Sequence, residues 1–354
     1  MRWKQPRCQR QRCVIATLLI SATIVVQLVM VGRYTASTIF AAISSTVNTS
    51  ALTCTENTPH ALWVLEGDKG TDVLLNLTDY DSAKDALRMV GNRTCFLEGL
   101  DERNGTQMTA DGCPCATDWF GAACSIPGFI DRSPTSWSKD SLRVRSRPRR
   151  VINAFPFNVE FEMAELRFAE LADVVDVFLV LESNYTAFGR PKPLYLLDRL
   201  RKRKYRTVVG KVIHIFLDYF PSDGYRDGWV ADAEHRNYLG THGLRRLAGL
   251  RPDDLVVLTD ADELPRRQLL SFLKWHDGYT EPVILNYRWS VYRFFWGVPA
   301  SNGDIKTQRC SAVVTMAMVI YVFRYQIYFI RNAPSFIDKH AFDVQVCDAN
   351  SIVK

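Results

Sequence analysis

The sequence has no Walker loop, no G-x-G-x-x-G fingerprint, no G-x-S-x-G elbow and no H-E-x-x-H pair. It therefore offers no footing for a P-loop nucleotidase, a Rossmann-type dehydrogenase, an α/β-type serine hydrolase or a zinc peptidase. Histidine is scarce, at six residues, and forms no ligand pattern. His235 and His242 stand seven apart and share a helix face at most, so all six read as surface or core residues. The 354 residues are 47% hydrophobic and only 23% charged, which excludes wholesale disorder and collagen-like repeats. Only one uncharged run of bilayer length is strongly apolar throughout, which excludes a multi-span membrane protein. Net positive charge is scarce outside the N-terminus: of the net +6, five charges belong to Arg2, Lys4, Arg7, Arg10 and Arg12, with no acid before residue 33. The charge is a tail and not a surface, so nucleic acid is not an expected partner.

The uncharged run is Val14 to Gly32, 19 residues whose one strongly polar member is Gln27. At ~1.5 Å per residue it reaches roughly 28 Å, enough for a thin bilayer. The preceding positive charges place the N-terminus in the cytosol and the remainder across the membrane. A cleaved signal peptide is the alternative, given the small residues Ala36, Ser37, Ala41 and Ala42. A lumenal body also agrees with Asn-x-Ser/Thr acceptors at Asn48, Asn76, Asn92, Asn104 and Asn184. Cys8 and Cys13 fall on the cytosolic side, where palmitoylation is possible. Seven cysteines remain, namely Cys54, Cys95, Cys113, Cys115, Cys124, Cys310 and Cys347, an odd number that leaves one unpaired or bonded to another chain.

Cys113, Cys115, Gly121 and Cys124 follow the C-x-C-x5-G-x2-C ending of an EGF-like module, with Gly121 at the tight turn. With Cys95 there are four disulfide candidates, a partial module. Two thiolates two residues apart, with no nearby histidine, make a poor zinc set. The stretch 128–150, rich in Ser, Pro, Arg and Trp, reads as a solvated basic tether or as a contact for an anionic surface.

From Val151 onward, strand and helix patterns alternate. Strands are expected at Val151–Phe157, Val174–Leu181, Val212–Leu217 and Leu255–Thr259, and helices at Glu160–Leu171, Leu194–Lys204, Trp229–Leu247 and Pro265–Trp275. Val283–Trp296 is extended and aromatic. The rhythm predicts an α/β fold: a mostly parallel sheet with helices on both faces and ligands beyond the carboxyl ends of the strands. The expected division is a cytosolic tail 1–13, a span 14–32, a stem 33–94, the disulfide module 95–127, the linker 128–150, the main domain 151–315 and a separate segment 316–354.

Asp260-Ala261-Asp262 stands at the end of the fourth strand. In extended chain, residues i and i+2 share a side, so both carboxylates should face the crevice. Hard oxygens so placed suit Mg²⁺ or Mn²⁺ and, through the ion, a diphosphate. The competing reading is a cap for the helix beginning near Pro265; the position at the end of an apolar strand favours the site. Glu263 follows as a supporting residue or base. Asp253 and Asp254 precede the strand and read as a solvated turn. Tyr287, Trp289, Tyr292, Phe294, Phe295 and Trp296 are dense enough to stack on a sugar and equally suited to a core strand; Arg288 and Arg293 alternate among them as phosphate contacts. A glycosidase using paired carboxylates is disfavoured, because Asp260 and Asp262 are too close for opposed attack.

Arg147–Met163, Phe178–Tyr195, Leu250–Pro265 and the run from Trp275 through Gly278, Thr280–Pro282 and Phe294–Trp296 resemble glycosyltransferase family 17 over roughly 145–315. The resemblance implies a GT-A-like fold and a single-pass type II Golgi enzyme. It implies inverting, metal-dependent transfer of N-acetylglucosamine from UDP-N-acetylglucosamine, in β1,4 linkage, to the core β-mannose of an N-glycan. It assigns Asp260 and Asp262 to a divalent metal, Mn²⁺, and to the donor diphosphate. The reading of the residues themselves adds Arg288 as a donor contact, Trp289 and Trp296 as acceptor contacts, and Glu263, adjacent to the metal site, as the candidate base. The resemblance is lost after about Val314. Met316–Ile330 is apolar and aromatic, and reads as a strand pair, a substitute sheet edge or out-of-place translated sequence. Arg324 and Gln326 argue against a second span. If that segment replaces acceptor contacts or the base, the chain is a non-catalytic relative that binds donor or partner enzymes.

Overall fold

The computed structural model describes residues 63–65, 75–78, 86–101, 112–132, 138–208, 210–291 and 296–331. The expected tail, span and most of the stem, with Cys8, Cys13, Asn48, Cys54, Asn104 and Cys347, lie outside them. Among the described residues no helix is long and apolar enough to cross a membrane.

Runs of β-branched and aromatic residues form a seven-stranded sheet. Its strands are β1 (Trp63–Leu65), β2 (Val151–Phe157), β3 (Val177–Ser183), β4 (Val212–Leu217), β5 (Leu255–Leu258), β6 (Val283–Arg288) and β7 (Thr307–Thr315). They lie side by side in the order β1-β4-β3-β2-β5-β7-β6. The first five are parallel; β7 joins antiparallel to β5, and β6 antiparallel to β7. The expected mostly parallel sheet is therefore present. Its strands are apolar without alternation because both faces are covered. On β2, Val151, Phe155 and Phe157 face one side and Ile152 and Ala154 the other.

Helices α1 (Phe161–Leu171), α2 (Tyr195–Arg201) and α4 (Arg267–Trp275) cover the first face. Helix α3 (Gly228–Tyr238), with α5 (Met316–Tyr321) and α6 (Tyr328–Arg331), covers the second. The long helix expected over Trp229–Leu247 keeps its α form only to Tyr238, then widens into a π turn over Leu239–Gly243 and tightens over Leu244–Arg246. The segment after Val314 is helical, neither a strand pair nor a sheet edge. Met316, Val319, Ile327 and Ile330 are fully buried against the second face, at about 1.5–3 kcal/mol for each large apolar side chain. Thr315 caps α5, and the Glu281 carboxylate accepts from both the Thr315 amide and its hydroxyl.

The four cysteines of the small module form two disulfides, Cys95–Cys113 and Cys115–Cys124. Gly121 has φ +84°, the turn conformation expected of it. The module rests on α4: the Phe96 ring meets Trp275 edge-on, Glu98 pairs with Arg267 at 2.6 Å, and Ser125 Oγ lies 2.9 Å from His276 Nε2. Cys310 is unpaired and buried.

Two expectations give way. The described part of the basic stretch is not a solvated tether. Arg143–Val144 pairs with His276–Asp277, Arg149 donates to Asp277, and Arg150 is buried. Asp254 is not in a solvated turn; it is 0% exposed. Arg150 grips it in a fork, Nε to Oδ1 at 2.9 Å and Nη2 to Oδ2 at 2.5 Å, and Asp254 also accepts from the Arg251 amide at 2.7 Å. A charge can be buried so deeply because its partner and its hydrogen bonds are complete.

Candidate active site

The chain leaves β2 toward β3 on one side and reaches β5 on the other, so a crevice opens where the strand order reverses. A cleft of about 280 Å³ lies there, just below the ~300–1,000 Å³ usual for ligand pockets. Asn158 and Glu160 line it after β2, Ser183 and Tyr185 at the end of β3, Asp232, His235 and Arg236 on α3, and Asp260 and Asp262 after β5.

Asp260 and Asp262 thus face one cleft, but by a different device from the expected extended alternation. The chain turns immediately after β5, and a guanidinium holds the turn. Arg167, 0% exposed, reaches from α1 and donates to the carbonyls of Asp260 (2.6 Å), Ala261 (3.2 Å) and Glu263 (2.6 Å), and to Thr259 Oγ1 and Asn153 Oδ1 (both 2.9 Å). Its ring partner is Phe155, at 4.5 Å. Burial lowers its pKa to about 10, which leaves it charged at neutral pH. The sequence carried a sign of this role. Ala164, Arg167, Phe168 and Leu171 follow i, i+3, i+4, i+7 spacing, so Arg167 occupies the inward stripe of α1.

Glu263 does not reach the cleft lining. The turn folds it back so that Oε2 accepts from the Asp260 amide at 2.9 Å and Oε1 pairs with Arg331 at 2.5 Å. Burial, and then the Asp260 charge, push its pKa up to about 7. Burial also raises Asp260, but Arg236 and Arg331 together hold it below its ordinary value. Burial and the neighbouring Asp260 charge raise Asp262, the exposed member of the pair. His235, lowered to about 4 by burial, lines the cleft as a neutral imidazole.

Asp260 has both oxygens engaged: Oδ1 by Arg236 Nη2 and Oδ2 by Arg331 Nη2 at 3.1 Å. Arg236 also pairs with Asp232. No group of three His, Cys, Asp or Glu that could hold a metal occurs among the described residues. In this arrangement the turn does not fit a divalent ion, because guanidinium nitrogens sit where ligand oxygens would need to be open.

The other expected residues lie apart from the cleft. Arg288 ends β6 opposite Thr307, half-buried. Since β6 runs parallel to β5 across β7, Arg288 and Trp289 leave the sheet at the same end as the acidic turn. Trp289 carries Lys306 Nζ 4.1 Å from its ring centre, and Trp296 is 68% exposed. Tyr287 is buried in the core, while Tyr292, Arg293, Phe294 and Phe295 are outside the described residues. Asn76 and Asn92 are exposed, and Asn184 is half-buried beside the cleft.

The model of glycosyltransferase family 17 matches residues 134–323, which carries the likeness past Val314 and into α5. Beta-1,4-mannosyl-glycoprotein 4-beta-N-acetylglucosaminyltransferase of Rattus norvegicus is 44% identical over 199 residues, covering 56% of this chain and 36% of the relative. The Mus musculus protein of that name gives the same figures. The Homo sapiens protein is 45% identical over 191 residues, 53% of this chain and 35% of its own. The chain thus spans about a third of the length of the curated relatives it matches. No solved structure matches it.

Proposed function

The chain belongs to glycosyltransferase family 17, and from that premise we propose that it transfers N-acetylglucosamine from UDP-N-acetylglucosamine, in β1,4 linkage and with inversion, to the core β-mannose of N-glycans. The observation that carries this reading is the acidic turn at the switch point of the sheet, clamped by Arg167 inside the matched region. The acceptor hydroxyl oxygen bonds to the sugar C1 as the bond from C1 to the diphosphate oxygen breaks, and the hydroxyl proton passes to a carboxylate. Asp262 is the carboxylate in position for that proton: it is exposed in the cleft, and its raised pKa favours accepting it. Glu263, turned away from the cleft, holds the Asp260 amide instead. Trp289 and Trp296, exposed at the same end of the sheet, offer faces for the acceptor sugars. Arg288 there is a donor contact. Anchorage by residues 14–32 as a single-pass type II Golgi membrane protein belongs to the same reading.

The test is incubation of the full chain with UDP-N-acetylglucosamine, Mn²⁺ and a biantennary N-glycan, followed by mass analysis. A gain of one N-acetylhexosamine on the core mannose is expected, and Asp262→Asn should abolish it. A second reading, a non-catalytic relative that binds donor, is favoured by the full engagement of Asp260 by two guanidinium groups. Donor binding without any mass gain would select it.

A further inference from the structure

Aromatic rings stand at the mouth of the cleft as well as beyond β6. Phe188, Tyr225 and Trp229 are 84%, 64% and 73% exposed, although the backbone that carries each is held. Phe188 lies in the loop after β3, where the Thr186 amide donates to the Arg190 carbonyl at 2.8 Å and the Gly189 amide to the Thr186 carbonyl at 2.9 Å. Tyr225 lies in the loop after β4, and Trp229 in the first turn of α3, where its amide donates to Asp227 Oδ1 at 3.0 Å. The two loops are locked together. Phe220 fits between Gly189 and Gly224, neither of which could carry a Cβ without striking its ring, and the Tyr225 ring also abuts Gly189. Phe220 lies 4.8 Å from the Tyr225 ring centre and 6.0 Å from that of Tyr185, a cleft residue. Rings so exposed on backbone so fixed bury little in the free chain and lose little freedom on meeting a ligand.

The rings continue the cleft. Ala187, next to Phe188, lines it. On α3, Trp229, Asp232 and Arg236 follow i, i+3, i+7 spacing, so Trp229 shares the face whose later members line the cleft. At ~1.5 Å per residue it stands about 10 Å along the axis from Arg236. The sheet gives a second measure. In the order β4-β3-β2-β5-β7-β6, the acidic turn after β5 lies two strands from β3 and two from β6, which leads to Trp289. At ~4.8 Å per strand, each aromatic flank is roughly 10 Å from the turn, too far apart for one sugar ring and within the spread of a branched glycan. The chemistry also suits sugar: a pyranose stacks its C–H face on a ring and donates its hydroxyls to carboxylates. The loop 218–227 exposes Asp218, Asp223 and Asp227 beside Arg226 alone. Those acids repel an anionic lipid surface and break the apolar area into separate rings, unlike the continuous core of a protein interface.

We infer that Phe188, Tyr225 and Trp229 form a second sugar platform, which holds one arm of a branched neutral glycan while Trp289 and Trp296 take the other and the branching sugar lies over the acidic turn. The inference rests on the proposed function for the identity of the glycan and of its reacting sugar.

The test is binding by the full chain, read by ligand-observed NMR titration, of three probes in turn: a biantennary N-glycan, the same glycan trimmed of both arms, and UDP. Phe188→Ala combined with Trp229→Ala should weaken the biantennary glycan about ten-fold and leave the trimmed core and UDP unchanged. Trp229→Phe, which keeps a ring, should retain most of the affinity. Both side chains lie outside the core, so the variants keep the fold. Biantennary binding unmoved by the double substitution, or absent from the unaltered chain at millimolar glycan, overturns the inference. A loss of UDP affinity in its place gives the rings to the nucleobase and overturns it equally. None of these readouts uses sugar transfer. A chain that binds the glycan through these rings and transfers nothing keeps this inference and loses the proposed function; transfer by a chain whose glycan affinity ignores the rings does the reverse.

Discussion

The two ends of β5 each carry an aspartate held by arginine, and they differ in completeness. At the start, Asp254 and Arg150 are 0% and 1% exposed, joined by two parallel bonds, and capped by the Arg251 amide. At the end, Asp260 is 27% exposed, borders a cleft, and is shared between Arg236 and a single nitrogen of Arg331. The first arrangement has nothing left to bind. The second keeps charge, access and an imperfect partner, which are the properties a ligand site needs. One residue type on one strand thus serves structure at one end and recognition at the other, and the partner geometry separates the two.

The largest effect should come from Asp254→Ala. It strands the buried Arg150 charge and should cost about 3–5 kcal/mol in urea unfolding, close to the stability of a whole domain. Asp260→Ala should cost less stability, since Arg236 keeps Asp232, while reducing transfer at least about 100-fold. If the two variants lose stability equally, the contrast between the strand ends fails.

Arg167→Lys sharpens the contrast at the cleft end. A lysine keeps the charge but cannot span three turn carbonyls at once. We expect about 1–3 kcal/mol of lost stability and a fall in transfer greater than the unfolded fraction explains. Transfer that only tracks the unfolded fraction would reduce Arg167 to a packing residue.

Next is a pH effect confined to the cleft end. Glu263 titrates at about 7 in the fold, against 4.5 ordinarily, so the fold keeps a proton that the unfolded chain has released in between. Its stabilisation is fully present below about pH 4.5 and is lost as pH rises through about 7. Glu263→Gln should match the unaltered chain in acid and exceed its stability above that range, as measured by urea unfolding at several pH values. Parallel pH profiles would contradict this assignment.

The smallest effect should be that of Asp253→Asn. Asp253 is adjacent to Asp254, but its side chain is 32% exposed and pairs with the partly exposed Arg145. A loss under about 1 kcal/mol is expected. A loss comparable to that of Asp254→Ala would show that the whole turn before β5 acts as one unit.

Much of this was legible from local pattern. The strands Val151–Phe157 and Val212–Leu217 have the expected bounds, and α1 and α4 are displaced by one or two residues at their starts. Asp254 was misread because the run Asp253-Asp254 looks the same whether solvated or buried, and its partner Arg150 lay in a stretch that read as a tether. Met316–Ile330 offered a strand pair or a sheet edge among its readings, and no helix, because its apolar residues are nearly continuous. Such a run lacks the period that tells helix from strand, and burial against the second face settled it.

The sequence alone determined the parallel α/β sheet, the cysteine-rich module and the placing of Asp260 and Asp262 at a strand end. Those follow from repeats of two and 3.6 residues and from spacings along neighbouring positions, which any reader of the chain can count. Only the tertiary structure decided which aspartate is sealed, which arginine clamps the turn and which cation faces Asp260. Ion pairs are chosen by proximity in space. Arg236 and Arg331 stand 24 and 71 positions from Asp260, separations that no local period connects.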